Sequence, residues 1–311
     1  MFKLSGRIVT AVVAAAASIT SGATFPPAVH QRHFSSPDLA IAALIAADRA
    51  NDRSALLQIL GVEGAALIHS GDRVADQRGR ARFAAAFEQQ HKIQFEGQDM
   101  AVLVVGMENW PLPIPLIHDT AGWRFDTEQG KQEILDRRIG RDELKVIEVS
   151  REYVEAQREY AAMKIGGTEE FARQFNSTPG RHDGLYWPQT NPGDPPSPLG
   201  PLVAEATAMG YTVHPNSPTR RASHPFYGYY FRILTAQGPN APEGAKSYIV
   251  DGRMTRGFGL IAYPATYGDS GIMTFIVNQT GIVFEKNLGP DTARIAREIT
   301  LYDPDPSWHA P

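Results

Sequence analysis

The hydrophobic pattern changes period several times along the chain, and each change predicts an element. An apolar run from Ile8 to Ile19, rich in Ala and Val, follows the basic residues Lys3 and Arg7. It leads into Ser21-Gly22-Ala23, small residues at the positions a signal peptidase reads. Charged start, short apolar stretch and small-x-small exit together predict a cleavable secretory leader over residues 1–23. A membrane span takes about 20 apolar residues, and this run is well short of that. Residues 24–35, with Pro, His and Gln, read as a flexible lead-in.

Helical periodicity begins at Ser36-Pro37-Asp38: a Ser N-cap, Pro in the first turn, then an acid near the positive end of the dipole. An Ala-rich helix is expected to about Ala50, and a shorter one from Asp52 carries Leu56, Leu57 and Leu60 to Gly61. A third, from about Gly79, sets Phe83, Phe87 and His91 on one face at four-residue spacing. A further helix from Gln129 to Ile139 is broken at Gly140. The longest runs from Asp142 to about Met163, where Val146, Ser150, Tyr153, Val154, Gln157 and Tyr160 mark a buried stripe.

Elsewhere the period is two, or the run is continuous. Met100 to Val105 is apolar throughout and predicts a well-buried strand. Ile114, Leu116 and His118 share one face of a segment that turns at Asp119-Thr120-Ala121-Gly122 and returns as Trp123-Arg124-Phe125. Prolines 111, 113 and 115 assign that hairpin to a sheet edge, because Pro cannot donate to a ladder. Residues 178–225 are loop-rich, interrupted by one helix from about Leu199 to Met209. The rest predicts an antiparallel meander of four strands, at about 226–234, 257–263, 273–277 and 282–285, and a closing helix near Asp291. Tyr227, Tyr229 and Phe231 fall on one strand face.

These elements make the fold class α+β, in two domains of residues 36–141 and 142–311, with the junction inside or just before the longest helix, near residue 142. About 290 residues remain after cleavage, enough for ordinary apolar cores. With 0 Cys, disulfide, thiolate and zinc-thiolate chemistry are excluded, and no cysteine near the cleavage site can carry a lipid. The formal charge of -4 becomes about -6 when Lys3 and Arg7 leave. That mild acidity, without basic clusters, argues against nucleic acid and anionic membrane surfaces as partners.

Several blocks are similar to one family when taken together. They include Ser70-Gly71-Asp72-Arg73-Val74-Ala75-Asp76, Trp110-Pro111-Leu112-Pro113-Ile114-Pro115 and Gly122-Trp123-Arg124-Phe125-Asp126-Thr127. Arg137-Arg138-Ile139-Gly140, Gly184-Leu185-Tyr186-Trp187-Pro188, Gly228-Tyr229-Tyr230-Phe231-Arg232 and Leu288-Gly289-Pro290-Asp291-Thr292 continue the likeness. The chain resembles the bacterial exported family known as domain of unknown function 2950, over about Ser36 to Trp308. The resemblance implies an envelope or secreted protein and brings no catalytic residues. Many members of that family carry an Asp-rich, calcium-loop-like segment after the long helix. Here the corresponding Met163-Lys164-Ile165-Gly166-Gly167-Thr168 has no carboxylate, so no calcium is expected there. At the level of fold, the first part is similar to nuclear-transport-factor-2-like cones and the second to pilin and pseudopilin heads. Such likeness fixes no function.

Motif chemistry is sparse. Gly268-Asp269-Ser270-Gly271 matches the tetrapeptide around a serine-protease nucleophile, but it lies between two expected strands, where these are ordinary turn residues. His182-Asp183 is a His beside an acid in a loop opened by Pro179-Gly180, and reads as a solvated turn. The 9 His are scattered without metal-ligand spacing, so neither a metal nor a cofactor is expected. The best place for a ligand is the concave side of the first sheet, with His91, Trp110, His118, Trp123 and Phe125 as candidate lining residues. Trp123 and Phe125 also alternate correctly for simple core packing, which is the stronger account of them. The leading expectation is an exported, soluble, non-enzymatic binding or envelope-associated protein. Its partner would be a small molecule or an envelope protein, with no stable membrane anchor after cleavage. The alternative is a small-molecule enzyme, an isomerase or hydrolase, working in that same pocket.

Overall fold

The computed structural model describes residues 30–190, 193–212 and 224–311. The leader expected over residues 1–23, and the lead-in up to residue 29, lie outside the described residues. The protein is α+β. Two helices open it, α1 (Pro37–Ala50) and α2 (Arg53–Leu60). The Ser36 hydroxyl accepts from Leu39 N, Pro37 opens the first turn, and Asn51 ends α1 in the left-handed region at φ 52. Asp52 then caps α2 through Ala55 N. After a single turn of 3-10 helix come α3 (Ala65–Ile68) and α4 (Arg73–Gln89).

The first sheet holds β1 (His91–Phe95), β2 (Met100–Val105), β3 (Trp110–Pro111), β4 (Leu116–Asp119) and β5 (Gly122–Phe125). Its order is β1-β2-β4-β5, all antiparallel, with β3 also paired to β2. One face of the sheet and the inner faces of α1 and α2 form the first apolar core, which includes Leu44, Leu56, Leu103, Leu116 and Phe125.

Four expectations are corrected here. Helix α4 begins at Arg73, not near Gly79, because Asp72 caps it by accepting from Val74 N and Ala75 N. His91 is not on that helix; it opens β1, a strand the sequence pattern hides because its residues are mostly exposed. The hairpin of β4 and β5 is not wholly at the edge, since β4 lies between β2 and β5. The prolines are tolerated because Pro113 and Pro115 precede β4, and β2 grips it only through Leu116 and Ile117. The outer side of β5 is covered by the end of the lead-in. Phe34 N donates to Trp123 O, and Trp123 N to Phe34 O, each at 2.8 Å. Gln31 likewise donates to the carbonyls of Ile59 and Phe125. Residues 31–34 are therefore tied down rather than flexible.

A fifth correction concerns the longest element. Helix α5 (Thr127–Met163) is continuous for 37 residues and passes through Gly140, where a break was expected, without interruption. An exposed helical Gly costs about 1 kcal/mol relative to Ala. Tertiary contacts on both sides of it outweigh that. Thr127 donates to Leu60 O, Arg138 holds the carbonyls of Ala66 and Leu67, and Leu135, Ile139 and Val146 are buried.

After α5 and a loop region comes α6 (Gly200–Ala208), close to its expected bounds. The strands β6 (Tyr229–Leu234), β7 (Ala236–Gln237), β8 (Lys246–Ser247), β9 (Ile249–Val250) and β10 (Arg253–Met254) follow. The chain then adds β11 (Gly259–Pro264), β12 (Met273–Asn278), β13 (Phe284–Asn287) and α7 (Thr292–Glu298). The expected meander is present as the antiparallel sheet β13-β12-β11-β6. The pairs β7-β8 and β9-β10 form small additional ribbons.

Strand alternation divides this second sheet between two cores. Tyr229, Phe231, Ile233, Leu260, Ala262, Phe275 and Val277 face the inner stripe of α5. Leu234, Ile261, Tyr263 and Ile276 face α7 and the C-terminal Tyr302 and Trp308. Tyr227 is outside the strand, at φ 50, so it does not extend the row of Tyr229 and Phe231.

Candidate functional site

Helix α4 has an unusual inner face. Ala75, Gly79, Arg82, Phe83 and Ala86 recur at spacings of three and four, but three of these five are small, so the helix does not fill the space it covers. The result is a cavity of ≈ 690 Å³ between α4, the ends of β2 and β3, and the first half of α5. That volume is in the range of small-molecule sites. Its floor is apolar and buried, with Leu44, Leu56, Val105, Leu112 and Ile114. Its exposed lining, which marks the mouth, holds Arg82, Met107, Glu108, Arg137 and Arg141.

The wall carries ionisable groups, most of them occupied. Asp76 accepts from Ser70 N and, at 2.7 Å, from Ser70 Oγ. Arg80 donates to Asn51 Oδ1 and Ile68 O. Arg138 donates to Ala66 O at 2.8 Å and Leu67 O at 2.7 Å. Arg141 pairs with Asp142 at 3.3 Å. Burial pushes the Asp142 carboxyl up to about 6, partly offset by Arg141 and Arg138. Asp48 differs from these. Its side chain makes no hydrogen bond among the described residues, it lines the cavity, and burial pushes it up to about 7 against the pull of Arg80. Among the described residues no three His, Asp or Glu side chains are grouped to hold a metal ion.

The raised carboxyl at Asp48 sets a sign for stability against pH. The folded chain holds this proton more tightly than the unfolded chain, whose carboxyl titrates near 3.8. Stability therefore falls as pH rises from about 4 to about 7, and the loss is complete above that. Asp48→Asn imitates the protonated form. It should leave the melting temperature nearly unchanged at about pH 4 and raise it by a few degrees at about pH 8. A larger gain in acid than in base would show that Asp48 is not buried as a neutral group.

The five residues expected to line a pocket are not brought together. Trp110 lines the cavity, edge-to-face with Phe83 at 6.5 Å and with the Arg137 guanidinium 5.7 Å from its ring centre. His91 is exposed and lies outside it, stacked on Phe87 at 3.7 Å with Nδ1 2.9 Å from Phe87 O. Phe125 is fully buried in the first core, and Trp123 is 8 % exposed beside it. His118 is exposed, 5.2 Å from the Trp123 ring. The two weaker motifs are spent on structure. Ser270 Oγ donates to Thr266 O and accepts from Thr266 N, which closes a turn. His182 stacks on Trp187 at 4.5 Å, while Asp183 holds Thr178 and Gln174.

The charged lining of the cavity escaped the sequence reading, although a signal for part of it exists. Asp142 stands three residues after Ile139 and four before Val146, an acid inside a buried helical stripe. Reading a helix break at Gly140 concealed that spacing.

Fold and site together define an α+β protein with a ligand-sized cavity, apolar at the floor and arginine-edged at the mouth. The chain belongs to the family described as Protein of unknown function (DUF2950), whose model matches residues 31–310. No curated protein and no solved structure matches it.

Proposed function

We propose that this protein is an exported, soluble binding protein of the bacterial envelope or its surroundings, and that it takes a small molecule in the cavity under α4. One observation carries the reading: a space of ≈ 690 Å³ with a buried apolar floor is kept open by small residues on a helix that could have filled it. At Gly79 an added Cβ would meet only Arg82 Nη2, at 4.0 Å. Leaving such a space empty forfeits dispersion and burial, so it calls for an occupant. Among the described residues no helix is long and apolar enough to cross a membrane, which agrees with release after cleavage.

Gly79→Leu separates function from stability. It should fill part of the cavity and remove a helical Gly, raising stability by about 1 kcal/mol. At the same time it should abolish the thermal shift that a ligand from a small-molecule library gives the wild type. If Gly79→Leu leaves every ligand-induced shift intact, the cavity is not the site. Export is checked by intact mass: protein secreted by a bacterial host should begin at Thr24, within a few residues. A product that retains Met1 and sediments with membranes would overturn it.

Asp48 supports a second reading, an isomerase or hydrolase in the same cavity. A cavity-facing carboxyl held near neutrality suits general acid–base work. Under that reading Asp48→Asn abolishes turnover of a bound compound without weakening its binding. Under the binding reading no compound is turned over by either form.

A further inference from the structure

The mouth of the cavity carries an imbalance that points to the chemistry of the occupant. Arg137 is paired with Glu133 and rests on Trp110, and Arg141 is paired with Asp142. Among the described residues, Glu108 is the one acid in the exposed part of the lining. Arg82 makes no ion pair or hydrogen bond among the described residues, although it faces the cavity. Among the described residues its electrostatic neighbours are chiefly like charges, Arg141 and Arg78, opposed by Asp142. Arg78 also has no ion pair among the described residues. An arginine placed beside two others at the rim of a cavity is unfavourable in the empty protein. One anion seated between them would relieve it.

We infer that the cavity takes an amphipathic monoanion, its carboxylate held at the mouth by Arg82 with Arg141 and its apolar body on the floor beside Leu56 and Ile114. This rests on the cavity being a ligand site, as proposed above, and adds the class of ligand. The partition follows from the lining itself. The floor offers buried aliphatic surface and no free cation, because Arg80 and Arg138 are occupied by Asn51 and by backbone carbonyls. The planar Trp110 beside Arg137 gives the entrance an apolar wall as well as a charged one.

Three probes of equal chain length test this by calorimetry on the mature protein: dodecanoate and dodecyltrimethylammonium below their micellar concentrations, and 1-dodecanol below its solubility limit. Dodecanoate should bind about tenfold or more tighter than dodecanol, since a charge-assisted contact contributes more than a neutral one. The cationic probe should bind weakest. Arg82→Gln should bring dodecanoate down to the affinity of dodecanol and leave dodecanol unchanged, and Arg82→Glu should reverse the order of anion and cation. Arg82 is exposed and unpaired, so both variants should fold, which circular dichroism verifies. Dodecanol binding as tightly as dodecanoate, with Gly79→Leu abolishing both, would remove the anionic head and leave the cavity as a site. Failure of all three probes would sink the ligand class, and a library hit lost in Gly79→Leu would still preserve the site.

Discussion

Gly130→Ala should destabilise the protein severely, whereas Gly140→Ala, ten residues along the same helix, should stabilise it. At Gly130 an added Cβ would lie 2.1 Å from Pro113 O, 2.3 Å from Pro113 C and 2.6 Å from Ile114 N. All three are backbone atoms, so no side chain can turn away to make room. Either α5 or the segment before β4 must move, and both are packed on the first core. Overpacking of this kind typically costs about 3 kcal/mol, at the upper end of its usual range. The expected fall in melting temperature is roughly 6–12 °C. Gly140 is exposed, and a Cβ there would meet nothing within 4 Å. Alanine should gain about 1 kcal/mol from helix propensity alone. Equal and small effects at both positions would mean that α5 does not approach the Pro113 backbone as described.

Asp72→Ala should cost about 3–7 kcal/mol, far more than a helix cap alone. Asp72 is 1 % exposed, and its two oxygens serve different parts of the chain. Oδ1 accepts from Val74 N and Ala75 N, capping α4. Oδ2 accepts from Tyr211 OH at 2.8 Å and from Gly228 N at 2.9 Å. One carboxylate thus ties the helix over the cavity to Tyr211, just after α6, and to Gly228, just before β6. Losing the cap costs about 1 kcal/mol, and each buried donor left without a partner adds about 1–3 kcal/mol. Asp52→Ala is the control, because Asp52 caps α2 at an exposed position and should cost about 1 kcal/mol only. Pairing Asp72→Ala with Tyr211→Phe in a double-mutant cycle should show coupling of about 1 kcal/mol or more. Additive losses would detach Asp72 from the second part of the molecule.

Glu143 ties the parts together in a comparable way. Its Oε1 accepts from Ile272 N at 2.8 Å and Met273 N at 2.9 Å, so the middle of α5 holds the start of β12. Tyr229 OH lies 3.3 Å from the same oxygen, and burial together with that carboxylate pushes the phenol well above its ordinary range. These contacts surround residue 142, where the sequence suggested a junction, and there the chain is bound together by side chains aimed at backbone groups.

Sequence alone was enough wherever the controlling physics is local. Ser36-Pro37-Asp38 and Asp52 announce the starts of α1 and α2 because a cap needs only its own turn. The stripe from Val146 to Tyr160 and the four strands of the meander follow from periodicity, since one face of each must be buried whatever packs on it. Membership of the family was also legible, from blocks spread over nearly the whole matched region. What required the tertiary structure depends on partners distant in the chain. Gly140 is a local helix breaker, yet α5 passes through it because Arg138 is anchored by carbonyls some seventy positions away and Ile139 beside it is buried. His91 continues a helical spacing but starts a strand, because β2 supplies a ladder that periodicity cannot see. The cavity is the strongest case. Its mouth joins Arg82 of α4 to Arg137 and Arg141 of α5, more than fifty residues apart, and its volume exists only because Ala75, Gly79 and Ala86 face a floor built from other elements. A pattern of apolar and polar residues records which side of a helix is buried, and contains no measure of how completely the space beneath it is filled.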